Sequence, residues 1–480
     1  MSFISLQYNM FLLVVVIAYY MVPKKIRWII LLIGSFVFYY LCAGEIFFFF
    51  ICMILLSYCG GNLIHKVKNK VQWVKQCVFV LSVLVVVLPL ALCKYGNFLL
   101  TPVIHDDFCW TVPLGISFFT MQMIAYLVDI YREQIEPQRN LFKYALFISF
   151  FPQILQGPIP RYTQLQDQLL KGHEFDENNI SRGLHLIIWG FFLKLMIADK
   201  ASVIVDTVFS QPDLYQGGYV LVAGVLYSIQ LYADFLACVT LTQGAAKLMG
   251  IDIVDNFRHP YFSRTVKEFW GGWHISLSSW LKDYIYIPLG GNRKGKIRKY
   301  LNILVTFLVS GIWHGAGYKY LVWGGLHGLY QIMGDITGRG RERICEKIGF
   351  HKNGKALIYW QRFFTFLWVA LAWILFRAKT LRVGIQMIMS LFTVYNPWIF
   401  FDDSIFELGL AWKEVAVLLV SIGIMAMVSV RQEKESVSEV ILEQPLIIRW
   451  MIYITAVLVI FVFGTYGTGF NAQDFIYGGF

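Results

Sequence analysis

The sequence predicts an all-α, polytopic integral membrane protein. Hydrophobic residues make up 58% of its 480 residues and charged residues only 15%, and the mean hydropathy is +0.59, which is too apolar for a soluble globular protein. Apolar stretches of membrane-spanning length recur along the chain, and basic residues cluster between them. The net charge of +11 therefore indicates membrane topology rather than a nucleic-acid-binding surface.

About twelve transmembrane helices are expected, within a range of about 11–13, because a helix needs about 20 apolar residues to cross the hydrocarbon core. The stretches lie at 4–22, 26–42, 46–64, 74–93, 111–131, 183–199, 217–240, 300–317, 319–335, 356–378, 411–430 and 446–464. Positive charges follow the first stretch instead of preceding it, which predicts a span with an external N-terminus and not a signal peptide. Alternation then places the basic clusters at 24–27, 66–75, 293–299 and 339–355 in the cytoplasm and both termini outside.

Two segments do not fit the pattern of simple spans. Residues 144–162, "YALFISFFPQILQGPIPRY", are too short to cross and contain Pro152, Pro158 and Pro160, which break helices. Residues 252–299 are aromatic but rich in polar groups. Irregular backbone at membrane depth persists only where it is buried in protein or lines a watery cavity, so both segments are predicted to wall a central tunnel.

Three of the nine histidines are candidates for a functional role. His314, in "LVSGIWHGAG", lies about 21 Å along a helix that starts near residue 300, inside a hydrocarbon core of about 30 Å. An ionisable group at that depth indicates a functional site. His274 shares helical spacing with Trp270 and Leu277, which predicts that it lies on the apolar face of a helix. His327, in "GGLHGLY", is a weaker candidate.

The spacing of these histidines limits the chemistry they can perform. No metal site is expected, because zinc needs three or four ligands, usually with a close pair, and the intervals offer none. The sequence contains no G-x-S-x-G elbow, P-loop or H-E-x-x-H motif, which disfavours a serine hydrolase, a nucleotide-driven pump and a zinc protease. A buried imidazole is neutral and can take a proton from an attacking hydroxyl. Acyl transfer fits this chemistry, although spacing alone does not select it.

Several motifs resemble the membrane-bound O-acyltransferase (MBOAT) superfamily, in the branch of the alginate O-acetylation membrane subunit. They are "VPLGISFFTMQMIAYLVDIYR", "FPQILQGPIPR", "YADF", "EFWGGWHISLSSWLKDYIYIPLGGNRKG", "LVSGIWHGAGYKYLVWGGLHG", "WILFRA" and the terminal "FIYGGF". They occur in family order over almost the whole chain. The resemblance implies one membrane domain over 1–480, with N-terminal helices at 1–140, a catalytic core at 141–335, and C-terminal helices with an external tail at 336–480.

The resemblance also implies an activity and site residues. His314 would be the catalytic histidine, and His274 would line the same tunnel. The reaction would move an acyl group, usually acetyl from cytoplasmic acetyl-CoA, toward an exported polysaccharide outside a bacterial plasma membrane, with no bound cofactor. Relatives commonly hand the acyl group to a separate extracytoplasmic partner of the SGNH-hydrolase type. Supporting positions in the tunnel are expected at Gln156, Asp234, Trp273, Asp283, Trp313 and His327.

The terminal "FIYGGF" resembles an F-x-Y-x-x-F tail that is thought to enter the outer funnel in related acyl-export systems. By this resemblance Tyr477 would accept the acyl group, and Phe475 and Phe480 would anchor the tail. The alternative is an aromatic belt at the membrane interface, which needs no chemistry.

The chain departs from the family pattern at two places. Relatives usually carry two arginines where this chain has Gly271 and Gly272, and they continue Y-x-D-F with S-G-Y-S-D where this chain has "LACVT" after Phe235. By this resemblance, the first change would remove a cytoplasmic contact with a phosphate or a headgroup. Basic residues that could replace it on coenzyme A phosphates, or serve only as topology anchors, are Arg264, Lys267, Lys282, Arg293 and Lys294.

Two other functions stay open on the sequence alone. A related member of the superfamily would transfer D-alanine to teichoic acids, although the segment "IPLGGNRKGKIRKYLN" and the overall length favour acetylation. A polysaccharide or lipid transporter would involve no covalent step. Such a transporter is expected to show internal symmetry, and the sequence contains no convincing repeat.

Overall fold

The computed structural model describes residues 1–100, 112–349, 354–466 and 475–476. This part of the chain contains nineteen α-helices and no β-strand, with one isolated bridge between Phe257 and Trp273. The helices are α1 Leu6–Met21, α2 Arg27–Ala43, α3 Ile46–Lys66, α4 Gln72–Leu100, α5 Ile116–Tyr131, α6 Leu141–Ser149, α7 Tyr162–Lys171, α8 Glu177–Phe192, α9 Asp199–Ser210, α10 Gly218–Lys247, α11 Val266–Gly272, α12 Ile275–Leu281, α13 Gly295–His314, α14 Tyr318–Lys347, α15 Lys355–Arg377, α16 Leu381–Thr393, α17 Trp412–Gln432, α18 Val437–Leu442 and α19 Leu446–Phe463. The all-α prediction is confirmed.

Seven helical segments in the described part are long and apolar enough to cross a membrane. They are Lys24–Ala43, Ile46–Lys66, Gln72–Gly96, Gly218–Lys247, Lys355–Arg377, Trp412–Gln432 and Leu446–Phe463. Each coincides with a predicted span, so the protein is a multi-pass membrane protein. Other predicted spans fall on shorter apolar helices, α1 and α5, or on α13 and α14, which carry more polar residues.

The predicted span at 183–199 is not one continuous α-helix. Helix α8 ends at Phe192, a π-helical turn covers Leu193–Ala198, and α9 begins at Asp199. Lys194, within this turn, and Asp199, directly after it, are both buried. A π-helical turn is rare and is often found at functional sites, so this segment is a candidate functional element.

The two irregular segments are organised differently from each other. Between α6 and α7, the proline-rich residues 150–160 form turns and are buried. In the second segment, short helices α11 and α12 precede a π-helical turn at Lys282–Tyr286. Neither segment is a long regular helix, which agrees with its exclusion from the simple spans.

The chain divides into two compact units. Within its described residues, the first contains 1–189 and 238–255, and the second contains 190–237 and 256–476. His274, His314 and His327 all belong to the second unit. A single domain over 1–480 stays a prediction.

Candidate active site

His314 is the last residue of α13, and close packing of two helices sets its position. The chain turns through 315–317 and returns as α14. A Cβ added at Gly311 would overlap the carbonyl oxygen of Tyr320, and one added at Gly324 would overlap that of Phe307. Small residues permit such a close approach of helix backbones. These glycines therefore set the position of His314 along α14.

The His314 ring lies in a wall of aromatic side chains. Its ring centroid is 4.8 Å from that of Trp313, 4.9 Å from that of Trp323 and 5.4 Å from that of Phe376. Only 1% of His314 is exposed. All three contacts are near edge-to-face, a favoured arrangement for aromatic rings. The wall therefore orients the imidazole and excludes bulk water from it.

His274 does not lie on a helix face, and that prediction is wrong. It lies between α11 and α12, where its backbone adopts the left-handed conformation with φ of 46° and ψ of 55°. Asn256 holds the start of α12, because its side-chain Oδ1 accepts the backbone N–H of Ser276 at 3.0 Å and its carbonyl accepts that of Ile275 at 2.9 Å. A strained conformation is kept only where its surroundings enforce it, and such residues cluster at active sites.

The His274 side chain is fully buried and reaches the same aromatic wall. Its ring centroid lies 5.9 Å from that of Trp313 and 4.8 Å from that of Phe235. Trp313 thus contacts both His274 and His314. The structure brings these two predicted residues together through one tryptophan.

His327, on α14, joins the wall from the other side of Trp323. The two ring centroids are 5.0 Å apart. His327 Nδ1 accepts a hydrogen bond from the indole N–H of Trp270 at 3.2 Å, which places the imidazole proton on Nε2 when the ring is neutral. His327 Nε2 has no hydrogen-bond partner among the described residues.

Trp273 and Trp313 occupy different positions in the wall. Trp313 touches both His274 and His314, as described above. Trp273 stacks on Phe269 at 5.4 Å between centroids and contacts Trp373 at 5.2 Å. Trp313 therefore contacts both histidine rings, whereas Trp273 packs among other aromatic rings.

Asp234 belongs to a buried charged cluster that the sequence analysis missed. Lys194 Nζ lies 2.8 Å from Asp234 Oδ1 and 2.9 Å from Asp199 Oδ1. The three side chains are at most 2% exposed. Two charged residues inside the apolar stretch 183–199 were the available signal, since buried ionisable residues in membrane helices indicate function.

The cluster also contacts the end of the chain. The backbone N–H of Ile476 donates to Asp234 Oδ2 at 2.7 Å, and Lys194 Nζ lies 4.6 Å from the centroid of the Phe475 ring. Tyr477 and Phe480 lie outside the described residues.

The remaining predicted residues lie in several places. Gln156 is buried in the first unit, and its Oε1 has no hydrogen-bond partner among the described residues. Asp283 is half-buried on the second π-helical turn. The predicted phosphate contacts are all exposed in the second unit: Arg264, Lys267, Lys282, Arg293 and Lys294.

The paired glycines differ in their surroundings. Gly271 is exposed, and among the described residues no atom outside its chain neighbours and its own helix backbone lies within 4 Å of a Cβ added there. A Cβ at Gly272 would overlap the carbonyl oxygen of Arg258. The backbone here accepts a side chain at position 271 but not at 272.

Potential metal ligands do not cluster in the part of the chain that the structure describes. No group of three or more His, Cys, Asp or Glu side chains is arranged there to hold a metal ion. The site consists of buried imidazoles in an aromatic wall, together with a buried charged cluster. These histidines lie on or between helices of a multi-pass membrane protein.

Comparison with known proteins specifies the class. The family model of the membrane-bound O-acyltransferases (MBOAT) matches residues 46–376. The chain therefore belongs to this family. It is therefore an acyltransferase, which favours the enzyme over the transporter.

Three relatives illustrate the range of similarity. A probable alginate O-acetylase AlgI of Pseudomonas fluorescens is 33% identical over 86% of this chain and 79% of its own length. A peptidoglycan O-acetyltransferase of Helicobacter pylori is 31% identical over 75% of this chain and 73% of its own length. A teichoic acid D-alanyltransferase of Streptococcus thermophilus is 29% identical over 56% of this chain and 66% of its own length.

Proposed function

We propose that this protein moves acetyl groups from cytoplasmic acetyl-CoA across a bacterial plasma membrane for O-acetylation of an exported polysaccharide. The observation that carries the proposal is the buried His314 in an aromatic wall at the end of α13. Acetyl is favoured as the acyl group because the O-acetylase and O-acetyltransferase relatives align over 75–86% of the chain. The D-alanyltransferase relative aligns over only 56%. Both termini are placed outside the membrane in this proposal, from the distribution of basic residues.

His314 acts as general base in the first transfer. A hydroxyl oxygen attacks the thioester carbonyl carbon of acetyl-CoA, and the imidazole takes the hydroxyl proton. A C–O bond forms, the C–S bond breaks, and the proton passes to the departing sulfur, which leaves as the thiol of coenzyme A. A positioned general base typically contributes about 10²–10⁴-fold to a rate. His274, which shares Trp313 with His314, lines the same path and orients the reacting groups.

Tyr477 supplies the attacking hydroxyl and carries the acetyl group as an aryl ester. The contact of Ile476 with Asp234 supports this role, because it places the residue preceding Tyr477 beside α10. A separate extracytoplasmic protein of the SGNH-hydrolase type then accepts the acetyl group on its own serine and passes it to a polysaccharide hydroxyl. The tyrosine hydroxyl is regenerated in this second transfer.

The exposed basic residues receive the anionic donor. Arg264, Lys267 and Lys282 lie on or next to the α11–α12 segment that carries His274, and Arg293 and Lys294 precede α13, which carries His314. Coenzyme A phosphates pair well with such cations. The open space at Gly271 leaves room for the donor where relatives carry arginine.

The test compares four strains: wild type, a deletion, and the deletion complemented with His314→Ala or with His65→Gln at matched protein levels. His65 is the control, a half-buried histidine near the end of α3 in the first unit. Base-labile acetate on secreted and envelope polysaccharides is expected to disappear in the deletion and the His314→Ala strain and to persist with His65→Gln. Retained acetate with His314→Ala would reject the catalytic role, and retained acetate in the deletion would reject the acetylation proposal.

A further inference from the structure

The buried cluster of Lys194, Asp199 and Asp234 contains two acidic groups and one basic group. Two carboxylates face one ammonium, so the cluster carries a net negative charge when all three are ionised. Burying charges is costly unless they are paired and hydrogen-bonded. Asp199 Oδ2 has no hydrogen-bond partner among the described residues, which adds to that cost. Such an arrangement indicates a function beyond stabilising the fold.

The π-helical turn at Leu193–Ala198 creates the cluster. Residues five apart point about 140° away from each other on a regular α-helix. A π-helical turn bonds residue i to residue i+5, which aligns Lys194 with Asp199. Both Asp199 and Asp234 then hold the Lys194 ammonium, which also lies over the ring of Phe475.

Asp234 divides its two oxygens between this cluster and the tail. Oδ1 accepts from Lys194, and Oδ2 accepts the backbone N–H of Ile476 at 2.7 Å. A hydrogen bond to a carboxylate is roughly twice as strong as one between neutral groups. Because the bond is to the backbone, it fixes the course of the chain at residue 476 whatever side chain stands there. The cation–π contact of Lys194 with Phe475 fixes the preceding residue.

Helix α10 connects this attachment point to the histidines. Phe235 directly follows Asp234, and consecutive Cα atoms are about 3.8 Å apart. The Phe235 ring lies 4.8 Å from that of His274. On this helix, the residue that binds the tail, Asp234, is therefore the direct neighbour of Phe235, whose ring contacts His274.

We infer that Lys194, Asp199 and Asp234 form a seat for the C-terminal tail, and that these positioning residues hold it at 475–476 so that Tyr477 is delivered to the acyl donor. This inference rests on the proposed relay by Tyr477. The cluster takes no part in bond making. It raises the rate by keeping the acceptor hydroxyl near the site.

Hydrogen–deuterium exchange of the purified full-length protein in detergent tests the seat. Asp234→Asn keeps the shape of the side chain and removes its charge, and its amide must turn an N–H group toward either Lys194 or Ile476. Loss of a hydrogen bond to a charged group is expected to speed exchange of the Ile476 amide by about tenfold or more. The matched control is Asp252→Asn, at an exposed carboxylate 2.7 Å from Lys247, which is expected to leave that amide protected.

Release of coenzyme A from acetyl-CoA by membranes of the native strain, which supply the partner protein and the polysaccharide, tests the positioning role. Asp234→Asn is expected to lower kcat about tenfold while the KM for acetyl-CoA stays within about twofold, because the donor site is intact. A second variant, Phe475→Leu, leaves the buried charges in place and removes only the aromatic ring. It is expected to give a smaller change in the same direction in both measurements.

The outcomes separate the seat from the relay. Unchanged protection of Ile476 in Asp234→Asn would overturn the seat, and faster exchange with unchanged kcat would overturn the positioning role. In both cases a strict requirement for Tyr477 would keep the relay. Transfer that persists in Tyr477→Phe would overturn the relay and the positioning role together. Loss of protection and of kcat in Asp234→Asn, with loss of transfer in Tyr477→Phe, is the expected result.

Discussion

The rings of His314 and Trp323 meet edge to face, with 4.9 Å between their centroids and 89° between their planes. Trp323 is fully buried, and its indole N–H has no hydrogen-bond partner among the described residues. The indole therefore serves by its shape and its contact with the imidazole rather than by donating a hydrogen bond.

Trp323→Phe is expected to slow acyl transfer about three- to tenfold, since an edge-to-face pair is worth about 0.5–1.5 kcal/mol. Thermal stability is expected to change little, because removing an unsatisfied buried N–H offsets part of the lost packing. Initial rates and thermal unfolding of the purified protein check both expectations. An unchanged rate in a normally folded Trp323→Phe protein would show that the ring does not orient His314.

The left-handed backbone at His274 allows the role of its imidazole to be separated from its role in the turn between α11 and α12. Asn adopts this conformation more readily than most residues, so His274→Asn keeps the turn between α11 and α12 and removes the imidazole. His274→Ala removes the ring and also strains the turn. We expect both variants to lose about tenfold or more in transfer rate, and only the alanine variant to lose thermal stability as well. Wild-type activity in His274→Asn would assign His274 a purely structural role.

The sequence predicted the helical membrane fold because apolar stretches of spanning length are visible without knowledge of contacts. It also selected His314 as a candidate site residue, since an ionisable residue in an apolar stretch stands out. It misplaced His274, because the spacing of neighbouring aromatic residues resembles a helix face. The chain breaks at that residue, where Asn256 caps a second short helix through its side chain and backbone.

The charged cluster could not be assembled from sequence. Lys194 and Asp199 are five residues apart, a spacing that shares no face on an α-helix, and only the π-helical turn aligns them. The bond from Ile476 to Asp234 joins residues 242 positions apart. Sequence periodicity carries no information about a contact of that separation.

Close packing of α13 against α14 predicts a strong effect of Gly311→Ala. The added methyl group would overlap the backbone carbonyl of Tyr320, so the helices must separate and His314 must move. Overpacking of this kind typically costs about 1–3 kcal/mol, and a displacement of about 1 Å can reduce a rate about 10²-fold. Thermal unfolding and initial rates provide the measurements.

The matched control for this change is Gly334→Ala on α14. In the described part of the chain, no atom apart from its chain neighbours and its own helix backbone lies within 4 Å of a Cβ added there. Alanine is favoured over glycine in a helix by about 0.5–1 kcal/mol. Gly334→Ala is expected to keep full activity with equal or higher stability. Equal behaviour of the two alanine variants would disprove that the Gly311 contact sets the position of His314.

The unequal surroundings of Gly271 and Gly272 yield the last prediction. Gly271→Arg places a cation in open space on α11, near the exposed Lys267, and is expected to lower the KM for anionic acetyl-CoA about threefold or more, with a smaller gain at high salt because salt screens exposed charges. Gly272→Ala must displace the Arg258 carbonyl and is expected to lower the thermal midpoint, whereas Gly271→Ala is expected to leave it equal or higher, since alanine is favoured over glycine in a helix. Donor kinetics at two ionic strengths and thermal unfolding measure these effects. If Gly271→Arg leaves the KM unchanged at both ionic strengths, then the α11 surface does not receive the donor, and its exposed cations serve only as topology anchors.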